Sequence, residues 1–226
     1  MKERPMIFNA EMVRAILDGR KTQTRRIMKP QPTPCTLQKG GHWWPSNVFK
    51  TMLHIEEEMQ NGKGGWGGLV GDACHFGDVG DRIWVRETFA AFDADWKFPG
   101  RPHDLKDGPW PNVIYPASRS EVPPGTLRPS IHMPRWASRI TLEITGVRVE
   151  RLQNISDEDV DAEGFAGDYP TSALPELFPG EPSDWSHLSM RDCYGVLWQS
   201  IYGEDSWQAN PWVWVIEFKR IEGGGA

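Results

Sequence analysis

Apolar positions recur along this chain in two periods, and each period marks out its own segments. Met12, Val13, Ile16 and Leu17 fall at helical spacing behind Asn9, a good N-cap, with Glu11 in the first turn, so a helix is predicted that stops at Gly19. From Asp81 to Phe89 the spacing changes to strict alternation. Ile83, Val85, Glu87 and Phe89 share one face and Arg82, Trp84, Arg86 and Thr88 the other, which predicts a strand and places Glu87 among core residues. Between Ser138 and Leu152 alternation resumes and then changes parity: Ile140, Leu142 and Ile144 are apolar, then Val147 and Val149, across Thr145-Gly146. A one-residue slip at glycine is what a β-bulge produces, and a bulge bends a long strand as a small closed barrel requires. Ser156 with Asp159 three residues on predicts a short capped helix ending at Gly164. Tyr194, Leu197, Trp198 and Ile201 fall at i, i+3, i+4 and i+7 and predict an amphipathic helix ending at Gly203. Pro211 opens a last strand, Trp212 to Ile221, apolar on both faces at Trp214, Val215 and Ile216 and therefore expected to be central.

Three stretches without such periodicity, at about 30–78, 90–130 and 166–187, read as insertions. Within them Thr51 to Gln60 predicts a short helix and Val113 to Tyr115 a strand fragment, while Gly62 to Gly71 is dense in glycine. The whole chain has 12 Trp, 19 Pro and 23 Gly in 226 residues, so the insertions are expected to be long loops pinned by aromatic rings around one compact core. The expectation is a single α+β domain over 1–222, with 223–226 a disordered tail. No apolar run is long enough to cross a bilayer and no secretory h-region opens the chain, which points to a cytoplasmic protein with no membrane partner. Three cysteines, Cys35, Cys74 and Cys193, make no CxxC pair, and together with His42 and His75 they match no metal-ligand spacing, so no metal is expected.

Net charge is -6, which argues against a protein that holds long nucleic acid mainly by neutralising phosphates. The charge is unevenly placed. Arg14, Arg20, Lys21, Arg25, Arg26 and Lys29 crowd the N-terminal helix and its exit, whereas Leu152 to Met190 has no Lys or Arg and carries Asp157, Glu158, Asp159, Asp161 and Glu163 among other acids. One segment can complement the other. Glu163 would sit at the C-terminal end of its helix, against the negative pole, a position worth about 0.3 to 1 kcal/mol of repulsion that calls for a cation nearby.

Asp18-Gly19-Arg20-Lys21-Thr22-Gln23-Thr24-Arg25-Arg26, together with Gly80-Asp81-Arg82-Ile83-Trp84-Val85-Arg86-Glu87 and Trp212-Val213-Trp214-Val215-Ile216-Glu217-Phe218-Lys219, resembles the ASCH family, small barrels related to the PUA RNA-binding fold. The resemblance implies a small β-barrel with flanking short helices, elaborated by the insertions. One branch of that family looks like amidohydrolases that remove the acetyl group from 4-acetylcytidine with a Lys and a Thr from a GRKTxT motif plus a Glu. Gly19 to Thr24 reproduces that motif, which implies Lys21 and Thr24 as catalytic residues, and the end of the short helix after the long strand implies Glu163. No metal or organic cofactor is implied. Residues three apart on an ideal strand face opposite ways, so Lys21 and Thr24 converge only if the chain turns between them. Arg25, Arg26, Trp84, Arg86, Glu87 and Trp136 complete the candidate set as substrate-binding residues. Arg25 and Arg26 can hold ligand oxygens or brace the core, Trp84 and Trp136 can stack on a base, and Glu87 can replace Glu163 or pair with Arg25, Arg26 or Arg82. The ligand implied is a small nucleoside; the PUA relationship implies, as the second reading, a non-catalytic reader of single-stranded RNA or a modified base. The elaborated, Trp-rich form is similar to the phage and prophage branch of the family, which implies a third reading, an accessory protein that binds a host partner.

Overall fold

A computed structural model of the protein describes residues 1–36, 40–60, 69–119, 121–165 and 189–221. In chain order its regular elements are β1 (Glu3–Ile7), α1 (Ala10–Leu17), β2 (Gln23–Ile27), β3 (Thr33–Pro34), β4 (His42–Ser46), β5 (Thr51–His54), α2 (Ile55–Glu58), α3 (Leu69–Ala73), β6 (Arg82–Arg86), β7 (Ala90–Phe92), β8 (Asn112–Ile114), β9 (Thr141–Arg151), α4 (Asp157–Ala162), α5 (Met190–Tyr202) and β10 (Trp212–Ile221). The class is α+β, as the patterns predict, and among the described residues no closed barrel is found. No described helix is long and apolar enough to cross a membrane. The expectations for 166–187 and for the glycine tail, and most of the glycine-dense stretch after Gln60, lie outside the described residues.

The chain divides into two compact units whose segments alternate in sequence: Met1–Gly19, Val79–Thr145 and the residues from Phe218 on make the first, Arg20–Asp78 and Gly146–Glu217 the second. In the first unit β1 runs parallel to β6, with Met6 opposite Val85, and β6 pairs antiparallel with the start of β9, with Ile83 opposite Leu142. The alternation read from sequence holds: Ile83, Val85, Glu87 and Phe89 are buried while Arg82, Trp84 and Arg86 are half-buried. Helix α1 begins where Asn9 accepts the Met12 amide at 2.8 Å and buries Val13, Ala15 and Ile16. The segment 90–130 is more ordered than an insertion of loops. Strand β7 pairs with β8, and Phe89, Ala91, Leu105, Met133 and Ala137 form a small core of their own. Alanines carry little strand preference, which is why Ala90-Ala91 gives no strand signal.

In the second unit β2 lies antiparallel to β10, with Thr24 opposite Ile216 and Arg25 opposite Val215, and Trp212 to Ile216 are all buried as a two-sided apolar strand should be. The segment 30–78 also departs from the expected loop. Strands β3, β4 and β5 form a three-stranded sheet, and the helix expected from Thr51 begins only at Ile55, the first four residues being strand. Pro45 within β4 masks that strand in the sequence, since proline withdraws a ladder donor. This small sheet is tied down by Trp44, whose ring meets Trp214 edge-on at 5.5 Å and whose indole donates to the Pro30 carbonyl at 3.0 Å. The parity change in β9 is present, with Leu142 and Ile144 buried before Thr145-Gly146 and Val147 and Val149 buried after it, and it falls where the chain passes from one unit to the other.

Helix α5 starts from a capping box between Ser189 and Asp192 and buries Cys193, Tyr194, Gly195 and Trp198 against Leu152, Ile155, Val160, Val213 and Val215. Its apolar stripe is narrower than the spacing predicts: Leu197 is half-buried and Ile201 is exposed. Gly195 is required by close approach, because a Cβ there would lie 2.8 Å from the Trp207 ring. Alanine in a helix interior ordinarily gains about 1 kcal/mol over glycine, but overpacking a rigid ring costs about 1 to 3 kcal/mol. Gly195→Ala is therefore expected to lower the melting temperature, and a rise in a thermal scan contradicts this packing.

Candidate functional site

Lys21 is positioned by backbone before its side chain does anything. It forms an isolated antiparallel bridge with Glu163, and the Thr22 amide donates to the Ala162 carbonyl at 2.8 Å, which fastens the entry to β2 onto the end of α4. Helix α4 is itself bounded as the sequence predicts: Ser156 accepts the Asp159 amide at 3.2 Å, Glu163 is the C-cap, and Gly164 follows. The carboxylate at the negative pole of this helix does acquire its cation. The Lys21 amine donates to the Glu163 backbone carbonyl at 2.8 Å and to its Oε2 at 2.7 Å, and Arg20 donates to the Gly164 carbonyl at 2.9 Å.

Lys21 and Glu163 are both buried, at 2% and 9% exposure. Around them lies a network of charges on one face of β2. Gln23 and Arg25 follow Lys21 at two-residue spacing and engage the same helix: Gln23 donates to Asp159 at 3.1 Å, and Arg25 reaches Glu163 Oε1 at 3.3 Å and Asp159 Oδ2 at 2.8 Å. Arg25 also donates to Glu150 on β9 at 2.6 Å. Arg148, two residues before Glu150, binds Asp159 at 2.7 Å and the Gln23 side-chain carbonyl oxygen at 3.1 Å, and pairs with Glu217 on β10. A Cβ at residue 146 would lie 2.5 Å from Glu217 Oε2, so glycine there leaves room for this acid.

Burial lowers the proton affinity of Lys21 from its ordinary value; Glu163 opposes that shift, and the neighbouring charges of Arg26 and Arg25 reinforce it. Burial works against the charge of Arg25, yet Glu163 and Glu150 overcome it and hold the guanidinium above its usual range. Burial likewise opposes the charge of Asp159, but Arg25 and Arg148 keep its carboxyl below the usual range. Tyr194 on α5 is driven well above the ordinary phenol range by burial and then by the Glu163 charge, so it stays neutral. The arrangement can therefore present a low-affinity amine held by a carboxylate.

Thr24 is buried at 1% exposure on β2. Strand alternation sets it on the face opposite Gln23 and Arg25, with Arg26. The Lys21 amine is engaged with Glu163, and among the described residues no hydrogen bond joins it to the Thr24 hydroxyl. Of the two roles open to Arg25, bracing fits: both of its terminal nitrogens are spent on carboxylates.

The remaining candidates belong to the first unit. Glu87 is buried, and its partner is Arg139, which grips both oxygens at 2.9 and 3.0 Å; the partners expected from sequence, Arg25, Arg26 and Arg82, are not the ones used. The Val85 amide donates to the Ile140 carbonyl, so the sheet brings Arg139 beside Glu87 across 52 residues of chain. Arg139 also lies 4.1 Å from the centre of the Tyr115 ring, whose phenol is pushed up to about 12 by burial, with Arg139 opposing and Glu87 adding to the shift. Trp84 has the guanidiniums of Arg86 at 5.6 Å and Arg135 at 6.0 Å from its ring centre. Arg86 spends its donors on the Ser130 and Ile131 carbonyls, and Trp136 packs on the small core, its indole donating to the Leu105 carbonyl at 3.0 Å. Glu150, Arg148 and Gln23 belong to the site although the sequence does not single them out, and Asp159, read from sequence only as part of the α4 cap and the acidic run, joins them. The signal for Gln23 is its place at two-residue spacing between Lys21 and Arg25.

No protein-family model, curated protein or solved structure matches this chain.

Removing one partner of a buried ion pair leaves the other uncompensated and costs about 3 to 5 kcal/mol. Glu163→Ala is expected to lose that much in urea denaturation, and Lys21→Met added to it is expected to recover part of the loss; additive losses contradict the pairing. The sign for Asp159 follows from its depressed carboxyl: it contributes stability above its ordinary value of 3.8, lost as pH falls through and below that value. Asp159→Asn is expected to be less stable at pH 7 and to show a shallower decline below pH ~4, measured by denaturation across the acid range.

Proposed function

We propose that the protein is an ASCH-type amidohydrolase, with the barrel-derived fold of that family, which removes the acetyl group from 4-acetylcytidine or a related acylated nucleoside. The observation that carries this reading is the buried Lys21 amine, lowered in proton affinity and held at 2.7 Å by Glu163. A neutral amine has two N–H donors and one lone pair. The Glu163 carbonyl and carboxylate accept both donors, which leaves the lone pair directed elsewhere and available as a base.

In the reaction, which requires the Thr24 hydroxyl to come within reach of the amine from the other face of β2, that hydroxyl attacks the acetyl carbonyl while Lys21 takes the hydroxyl proton, and Glu163 holds the amine and stabilises the ammonium as it forms. Collapse of the tetrahedral adduct breaks the carbon–nitrogen bond, and the Lys21 ammonium returns its proton to the departing cytosine amine. Water then attacks the acetyl-threonine ester with Lys21 again accepting a proton, and the Thr24 oxygen leaves as hydroxyl with release of acetate. No metal or organic cofactor enters this scheme. Burial supports it by keeping the amine from holding its proton as firmly as an exposed lysine does.

The half-buried Trp84, with two guanidiniums within 6.0 Å of its ring centre, favours a second reading, binding of single-stranded RNA or a modified base without catalysis. Phosphate-driven binding must weaken as salt rises, so anisotropy titrations at several salt concentrations test it, and absence of binding at low salt discards it.

Purified protein incubated with 4-acetylcytidine is expected to release cytidine and acetate. Folded Lys21→Ala and Thr24→Ala are each expected to lose turnover by about a hundredfold to ten-thousandfold. Near-normal deacetylation by Thr24→Ala excludes the acyl-threonine route, and no turnover of any acylated nucleoside by the wild type across pH rejects the enzymatic reading.

A further inference from the structure

The carboxylate of Glu163 is divided between two cations. Its Oε2 lies 2.7 Å from Lys21, while its Oε1 lies at a longer 3.3 Å from Arg25. The short bonds of Arg25 run the other way, to Glu150 at 2.6 Å and Asp159 at 2.8 Å. Asp159 cannot follow Arg25 inward, because Arg148 holds it at 2.7 Å and Gln23 at 3.1 Å, and Arg148 is itself tied to Glu217. We propose that Arg25 is a positioning residue for the Lys21–Glu163 pair: it claims one oxygen of Glu163 against Lys21, and Asp159 and Glu150, by pulling Arg25 away, set how much of that carboxylate is left to the amine.

The inference rests on the amide-hydrolysis reading for the role of Lys21 as base, but its physical content is separable from turnover. Coulomb attraction falls with distance, so a guanidinium released by Asp159 or Glu150 closes on Glu163 and weakens its hold on the Lys21 ammonium. Lys21 then gives up its proton at lower pH. Removal of Arg25 has the opposite sign: Glu163 turns wholly to Lys21, one repelling charge disappears, and the ammonium persists to higher pH. The other groups facing the amine do not reverse these signs. Arg26, on the opposite face of β2, is unchanged in every variant, and the Tyr194 phenol of α5 stays neutral.

The test is the titration of the Lys21 amine, followed by nitrogen-15 NMR of lysine side chains in the full chain and assigned by its loss in Lys21→Met. Relative to wild type, the midpoint is expected to move down in Asp159→Asn and in Glu150→Gln, to move up in Arg25→Gln, and to return toward wild type in Asp159→Glu. A general loosening of structure would displace all variants the same way, so a common direction, or no displacement, overturns the proposal. Should Arg25→Gln fail to fold, the two carboxylate variants decide alone, and a midpoint that does not fall in them overturns it. The acid limb of kcat/KM against pH for 4-acetylcytidine is expected to move in the same order. If the NMR midpoints move as stated and no acylated nucleoside is turned over, the positioning role stands and the proposed activity falls. Turnover with unmoved midpoints is the reverse result.

Discussion

The end of α4 and the beginning of β2 are held together twice over, once by the backbone bridge between Lys21 and Glu163 and once by their side chains. A helix C-terminus leaves carbonyls without intrahelical partners, and a carboxylate placed there adds charge of the wrong sign. Lys21 answers both demands with one amine, donating to the Glu163 carbonyl and to its carboxylate. Taking these charges out of water costs several kcal/mol per ion, which Coulomb attraction alone repays only when the geometry is good and further hydrogen bonds complete the shells. The surrounding network meets that condition. Arg25, Gln23 and Arg148 place donors on Asp159, and Asp159 and Glu150 in turn hold Arg25, so that the buried pair has an ordered polar neighbourhood.

That requirement explains why so many charged residues of the second unit point at each other rather than outward. The basic run around Lys21 and the acidic run after Leu152 complement each other at Lys21–Glu163 and Arg25–Asp159. The contact is made because the entry to β2, β2 itself and the long strand β9 present Lys21, Arg25 and Arg148 toward α4. The arrangement has a chemical consequence. Burial lowers the proton affinity of Lys21 while Glu163 defends the ammonium, and an amine balanced between the two is suited to accept and return a proton.

Local signals carry a large part of this structure in the sequence. The Asn9 cap and Gly19 bound α1, the alternation from Ile83 to Phe89 marks the buried face of β6 and the residues beyond it, and the parity change at Thr145-Gly146 marks the point where β9 reverses its faces. Ser156 and Gly164 bound α4, and those two residues alone place Glu163 beside a helix end. What is illegible depends on tertiary placement. Pro45 and the Ala90-Ala91 pair suppress strand preference locally, so the β3-β4-β5 sheet and the β7-β8 pair read as loops. Arg139 as the partner of Glu87 is equally hidden, because nothing in the chain short of the sheet register distinguishes it from Arg82 or Arg26.

The internal use of charge also bears on what the second unit can hold. Among the described residues, Lys21, Arg25 and Arg148 face Glu163, Asp159, Glu150 and Glu217, so these three cations are matched by acids. A polyanion gains affinity by releasing counterions to unpaired lysines and arginines, and arginines already locked to carboxylates cannot supply that gain. A neutral ligand meets no such obstacle, since its recognition depends on hydrogen bonds and apolar contact rather than net charge. The same network that makes burial of Lys21 tolerable thus commits Lys21, Arg25 and Arg148 to carboxylates of this chain rather than to a polyanion.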